Sequence, residues 1–344
     1  MAVITVIGSG MMGSAIIFPA ADNGNAIRVV GTPLDREIID HARSTGKHLT
    51  LKRNMPAGIT YYQFEELDEA LSGTELIVSG VSSFGVDWFM ENVIPRIPDG
   101  MPVLSVTKGM MNAGKGELIS YPEMYRARTR RIPFMAVGGP CTSYELADHD
   151  FTEVTFCGED MDLLRWVRGL FETDYYHVSL STDIRGVECA VAMKNAYALG
   201  VSLAIGMSYA REGREKEHYN SQAALFGQAV REMTRLLKVC GGDESNLALG
   251  VGDLYVTVFG GRTRRIGILL GEGMDFDSAM NELSGVTLES IVISARTAKA
   301  IRERIADGRA KAEDYPLLMH IDELISSIAH VNVPWDSFES EFIR

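Results

Sequence analysis

The sequence predicts an α/β fold: a doubly wound, mostly parallel sheet followed by an all-helical domain. Short β-branched runs alternate with helical stretches through the first half, as parallel strands joined by crossover helices require. After about residue 184 the apolar spacing turns helical and stays so. At 344 residues the chain also exceeds what one hydrophobic core usually serves. Two domains are therefore expected, 1–184 and 185–344.

Strands are expected at 2–8 (AVITVIG), 26–31 (AIRVVG), 75–81 (ELIVSGV), 102–109 (PVLSVTKG), 133–139 (PFMAVGG) and 153–158 (EVTFCG). A last strand at 175–183 (YYHVSLSTD) should run into a helix cap, and helices are expected at 64–71 and 161–171. In the second half the stretch 221–242 is amphipathic, with Asn220 as its N-cap and Gly241 and Gly242 as its stop. Helices at 288–305 and 317–328 follow the same spacing.

Composition narrows the function. A net charge of −13 disfavours nucleic acid and anionic membrane surfaces, which select basic faces. An anionic small substrate would need locally placed cations. The four cysteines, Cys141, Cys157, Cys189 and Cys240, lack the close spacing of zinc or redox sites. Reduced thiols in a cytoplasmic protein are expected, with no metal. The first strand begins at Ala2, so no signal peptide is expected. The one stretch apolar enough to suggest a membrane span, 187–207, has Lys194 and Asn195 at its middle. A charge there would cost a few kcal/mol in a bilayer, so a central helix of a soluble domain fits better.

Gly8, Ser9, Gly10, Met11, Met12 and Gly13 form a G-x-G-x-x-G loop directly after the first strand and before a helix-compatible run. The first glycine permits the tight turn, the second lets backbone approach a pyrophosphate, and the third allows close helix–strand packing. The helix N-terminus then faces the anion. This is the signature of a Rossmann-type dinucleotide site, for NAD or NADP. The second strand ends Val30, Gly31, Thr32, with no acid to accept from a ribose 2′-hydroxyl until Asp35. NADP acceptance follows, with Thr32 and Arg36 near the 2′-phosphate. Alternatively, Asp35 and Arg36 open the next helix on its solvent face.

Lys194 has apolar flanks on both sides for several turns. Either it snorkels from a helix edge, or it opens into a cleft with its pKa lowered by desolvation. In the run 250–265 (GVGDLYVTVFGGRTRR), Asp253 and Thr257 share a helix face. A glycine pair then precedes Arg262, whose planar guanidinium suits a phosphate. Arg264 and Arg265 read as a solvated charge run. Lys108 stands at a strand's C-terminal end, where open α/β sheets bind ligands. It either lines that cleft or is an ordinary surface lysine. The 211–220 segment, with His218, reads as a solvated connection rather than a flap.

GSGMMG, SVTKG, GGP, AMKNAYALG, NSQAALF and GDLYVTVFGGRTRR occur in the order found in NAD(P)-dependent glycerol-3-phosphate dehydrogenases. The chain resembles that family over nearly its whole length. The VVG-Thr32 strand end and the following PLDREII look most like its archaeal branch. The resemblance implies that Lys194 is the catalytic lysine, with Asn195 beside it and with Asp253 and Thr257 completing its surroundings. It implies that Lys108 and Arg262 contact substrate and cofactor, that Thr263 lies near the substrate phosphate, and that Glu289 lies by the cofactor. Three positions depart from the family pattern: Thr263 for the usual Asn, Gln222 for a lysine, and Ser290 for a common glycine.

The implied substrate is a small phosphorylated molecule, glycerol 3-phosphate or dihydroxyacetone phosphate, and the implied assembly a homodimer. Rival readings are a dehydrogenase of a related polyol phosphate or of a β-hydroxyacid, and a dinucleotide sensor without catalysis. A sensor has no evident need for a lysine in that apolar helix.

Overall fold

The computed structural model describes residues 1–284 and 288–338. The chain forms two compact units. One holds Met1–Lys108 and Ser120–Glu188; the other holds Gly109–Ile119 and the chain from Cys189 onward.

The first unit is built on an eight-stranded sheet. Its strands are β1 (Val3–Ile7), β2 (Ala26–Val30), β3 (Thr60–Tyr62), β4 (Leu76–Ser79) and β5 (Val103–Ser105). Two further strands, β6 (Met110–Gly114) and β7 (Glu117–Ser120), pair only with each other. The sheet is completed by β8 (Phe134–Gly138), β9 (Thr152–Cys157) and β10 (Tyr176–Ser181), in the order 10-9-8-5-4-1-2-3. The β8–β9 pair is antiparallel and the others are parallel. All seven strands expected from the sequence are present. β3 and the β6–β7 hairpin were not foreseen, and the expected strand 102–109 ends at Ser105. There Thr107 donates its hydroxyl to the Val81 carbonyl at 2.6 Å, and the chain leaves the ladder.

Crossovers in this unit include α1 (Met11–Ala15), α2 (Ile17–Asp22), α3 (Arg36–Thr45), α4 (Leu67–Leu71), α5 (Val86–Asn92), α6 (Tyr121–Arg128), α7 (Ser143–Ala147) and α8 (Met161–Phe171). Strands buried on both faces read as continuous apolar runs. Ile4, Val6, Ile27, Val29, Leu76, Val78, Leu104, Val137, Val154 and Phe156 accordingly form one core.

The second unit is helical, apart from the hairpin. It comprises α9 (Ile184–Glu212, entered from the first unit), α10 (Tyr219–Cys240), α11 (Leu247–Phe259) and α12 (Gly261–Gly271). It continues with α13 (Phe276–Glu282), α14 (Glu289–Ala306) and α15 (Pro316–Ile325). Asp183 caps α9 by accepting from Gly186 N–H at 2.9 Å, as the expected strand-to-cap junction requires. α9 is long and apolar enough to cross a membrane, yet 89% of its most apolar window is buried within the protein.

Asn220 is not the cap of α10. The extended residue is His218, and Asn220 already lies in the first turn. Gly241, at φ +73, closes that helix, with Gly242 N–H donating back to the Leu237 carbonyl at 3.0 Å. The β6–β7 hairpin docks on α14, where Gly116 N–H donates to Glu303 and Arg304 Nε donates to the Gly116 carbonyl.

Candidate functional site

In the first unit, the C-terminal ends of parallel β1, β2, β4, β5 and β8 bring one edge of the sheet to Gly8, Thr32, Gly80, Lys108 and Gly139. The glycines of the first loop differ in what they answer to. Gly8 adopts φ +101, and a Cβ there would lie 2.8 Å from the Gly80 carbonyl carbon. A Cβ on Gly13 would lie 2.5 Å from the Gly8 carbonyl oxygen. At Gly10 the backbone is ordinary (φ −69), and the nearest atom a Cβ would meet is 3.8 Å away. Among the described residues nothing demands glycine at position 10, and the open space there leaves the backbone accessible to a ligand.

The loop is held from behind. His48, 2% exposed, places Nε2 2.9 Å from the Ser9 carbonyl, while its Nδ1 accepts from Leu51 N–H at 2.9 Å. Leu51 N–H can only donate, so Nδ1 is the acceptor and Nε2–H donates to Ser9. Burial pushes this imidazole below its usual pKa, which keeps that neutral tautomer.

Asp35 does not point to solvent. Its Oδ2 accepts from Ser9 N–H (3.1 Å), Thr32 N–H (2.9 Å) and the Thr32 hydroxyl (2.8 Å), tying the second strand's end to the glycine loop. Arg36 does lie on the solvent face, paired with Glu65 at 2.5 Å. Both of those side chains are more than half exposed, so the pair is worth little and is easily exchanged.

Lys108 is partly buried and donates to the Gly139 carbonyl at 2.7 Å, which fixes it at the sheet's edge. Glu188, missed in the sequence reading, is fully buried, and neither of its carboxylate oxygens has a hydrogen-bond partner among the described residues. Burial pushes its carboxyl up to about 8, against the pull of Lys108's charge. The signal was present in the sequence: an acid inside an apolar run, six residues before Lys194.

Along α9, every residue from Gly186 to Gly206 is buried except Lys194 and Asn195. Lys194 does not snorkel. Its Nζ donates to Asp253 Oδ1 at 2.5 Å, with the lysine side chain 13% exposed and the aspartate 0%. Close helix packing sets this up. A Cβ on Gly250 would lie 2.5 Å from the Ala190 carbonyl oxygen, so α11 reaches α9 one turn before the pair. Thr257 shares the Asp253 face and donates its hydroxyl to the Asp253 carbonyl at 2.7 Å.

Arg262 is exposed in the first turn of α12, after Gly260 and Gly261, and forms no ion pair among the described residues. Thr263 beside it is buried at 7%. Arg264 was misread as solvated. It donates to the Val258 carbonyl (3.2 Å) and to Glu217 (3.0 Å), whose same oxygen accepts from Tyr209 OH at 2.6 Å. Arg214 with Glu272 and His218 with Glu212 pin the 211–220 segment further. Glu289 opens α14 half-buried. Gln222 donates to the His218 carbonyl, and Ser290 is buried without a hydroxyl partner among the described residues.

Two family models match the chain: the N-terminal part of NAD-dependent glycerol-3-phosphate dehydrogenase over residues 3–164, and its C-terminal part over residues 183–333. The NADP(+)-dependent glycerol-3-phosphate dehydrogenase of Archaeoglobus fulgidus is 32% identical over 95% of this chain and 99% of its own length. The glycerol-3-phosphate dehydrogenase [NAD(P)+] of Koribacter versatilis is 29% identical over 84% of each chain. Among solved structures, the Coxiella burnetii glycerol-3-phosphate dehydrogenase superposes with a TM-score of 0.81 at 22% identity, covering 98% of this chain and 97% of that one. The Plasmodium falciparum glycerol-3-phosphate dehydrogenase gives 0.82 at 20% identity, covering 100% and 96%; both likenesses are of fold. From the sequence relatives and the paired family models together, the chain belongs to the NAD-dependent glycerol-3-phosphate dehydrogenase family.

Proposed function

We propose that this chain interconverts sn-glycerol 3-phosphate and dihydroxyacetone phosphate, the first unit binding the dinucleotide and the helical unit binding substrate and performing the proton transfer. The observation that carries this reading is the Lys194–Asp253 pair, a cation and a fully buried anion at 2.5 Å inside an otherwise apolar helix. A buried ion pair adds little net stability. A positioned acid beside a carbonyl, by contrast, is what ketone reduction needs.

The residues divide the work. A bound nicotinamide supplies the hydride, or receives it in the reverse direction. Lys194 as ammonium gives its proton to the carbonyl oxygen; as amine it takes the hydroxyl proton back. Asp253 holds the lysine's direction, and Asn195 orients the reacting oxygen. Thr257 has already spent its proton on the Asp253 carbonyl, so its oxygen is an acceptor for a substrate hydroxyl. Arg262 at the N-terminus of α12, with Thr263 beside it, receives the phosphate. Binding energy from that phosphate, remote from the reacting carbon, is available for alignment.

Within the first unit, Gly8, Ser9, Gly10, Met11, Met12 and Gly13 would hold the pyrophosphate, with Lys108 at the same unit's sheet edge. Both NADH and NADPH serve: Thr32 stands at the strand end, and Arg36 exchanges Glu65 for a 2′-phosphate. The relative in Archaeoglobus fulgidus is NADP(+)-dependent. A cytoplasmic homodimer completes the proposal, resting on family likeness alone and tested by sedimentation.

Lys194→Ala tests the reading directly. Calorimetric cofactor affinity should be retained while turnover of dihydroxyacetone phosphate falls by ~10³-fold or more. Turnover within tenfold of the parent protein contradicts the assignment.

A further inference from the structure

We propose that Cys189 and Cys240 are a disulfide-forming pair, oxidised within the folded protein by a small-molecule disulfide. The two residues are 51 positions apart in sequence, yet their sulfurs stand 2.9 Å from one another. Other sulfur contacts in the molecule are ordinary: Cys157 to the Ala136 carbonyl at 3.6 Å, Cys189 to the Leu236 carbonyl at 3.7 Å, and Thr297 to Met193 at 3.6 Å. Among the described residues, only the Cys189–Cys240 distance falls well below those values. No disulfide joins any of the four cysteines, and closing this pair to a bond of about 2.04 Å asks less than 1 Å of sulfur movement.

The surroundings fix which thiol reacts first. Cys189 lies inside the 29-residue α9, is 0% exposed, and has its neighbour Ala190 packed against Gly250. Cys240 is the last residue of α10, 4% exposed, with left-handed Gly241 after it. Helix ends open at far lower cost than helix interiors, so the entering reagent meets Cys240.

The chemistry closes without a further reactant. The Cys240 thiolate attacks one sulfur of the small-molecule disulfide and expels the first small thiol. The Cys189 thiolate then attacks the Cys240 sulfur of that mixed disulfide, forming the Cys189–Cys240 bond and expelling the second. Two protons pass from the cysteines to the departing thiolates. The pair loses two electrons and the reagent gains them. The product joins α10 to the helix that bears Lys194, five residues from Cys189.

The test uses the whole native protein incubated with oxidised glutathione, with a short cysteine peptide in the same tube to report that the reagent is active. The mixture is acid-quenched, denatured, alkylated without reduction, digested and mapped by mass spectrometry. The expected result is a cross-linked peptide joining Cys189 to Cys240, formed while circular dichroism remains native. Cys157 should stay fully alkylatable, and the oxidised protein should melt at a higher temperature. Cys240→Ser should abolish the cross-link and leave Cys189 alkylatable. Complete alkylation of both cysteines after the peptide has reacted would overturn the proposal. So would arrest at a mixed disulfide on Cys240, or a cross-link that appears only in denaturant.

Discussion

Gly250 packs directly on the carbonyl of Ala190, with no room for a methyl group between them: a Cβ would lie 2.5 Å from that oxygen. Each residue stands about one turn before a member of the Lys194–Asp253 pair. Gly250→Ala must therefore separate α11 from α9 and lengthen the ion pair. Its kcat should fall about a hundredfold with nicotinamide affinity unchanged, since displacement of about 1 Å at a reacting group costs that much. An unaltered kcat would show that the helices yield elsewhere.

Asp253→Asn keeps the shape and removes the charge. Lys194, only 13% exposed at its side chain, loses its anion. Removing one partner of a buried pair costs about 3 kcal/mol of stability, so the unfolding midpoint should drop. The kcat should fall by roughly two orders of magnitude while KM changes little. A KM effect alone would reassign Asp253 to substrate binding.

Glu188 makes stability depend on pH. Its folded carboxyl titrates near 8 because it is buried, against the ordinary 4.5, so between those values the native state holds a proton that the unfolded state has released. Stability must then fall as pH rises from about 4.5 to about 8, by at most about 5 kcal/mol, and level off above. Denaturant unfolding of Glu188→Gln across that window should show a flatter profile. Parallel profiles for the two proteins would mean that Glu188 is ionised in the native state.

The cofactor reading makes a separate demand. Arg36→Ala should weaken NADPH binding several-fold and leave NADH unchanged, because the Glu65 pair it breaks is exposed and worth little. Thr32→Glu should act in the same direction, placing a carboxylate against a 2′-phosphate. Equal losses for both cofactors, measured by calorimetry, would remove Thr32 and Arg36 from the ribose site.

Long periodic elements were legible in the sequence because burial on both faces leaves continuous apolar runs, as in β1, β4 and β8. The β6–β7 hairpin was missed although Gly114, Lys115 and Gly116 form a visible turn signal, each at positive φ. Its strands are short and half-exposed, and the partner that stabilises them, Arg304 on α14, is remote in sequence. Lys194 and Asp253 were legible as anomalies of polarity, yet the glycine contact that joins them was not. Gly250 looks like any helical glycine until Ala190 is placed against it. The solvated reading of Arg264 and the alternative that put Asp35 on a solvent face fail for a common reason. Each sits among polar neighbours, and only the fold reveals that the side chain turns inward to a backbone or carboxylate partner.

The most direct test of the central claim is the loss of nicotinamide absorbance on mixing the protein with dihydroxyacetone phosphate, run in parallel with NADH and NADPH. A ketose 1-phosphate one carbon longer serves as the comparison. Turnover on dihydroxyacetone phosphate exceeding that on the longer substrate is the predicted result, making Thr263 a tolerated variation. No turnover on dihydroxyacetone phosphate, with activity on the longer ketose phosphate, would contradict the assigned substrate and mark Thr263 as the sign of a changed pocket.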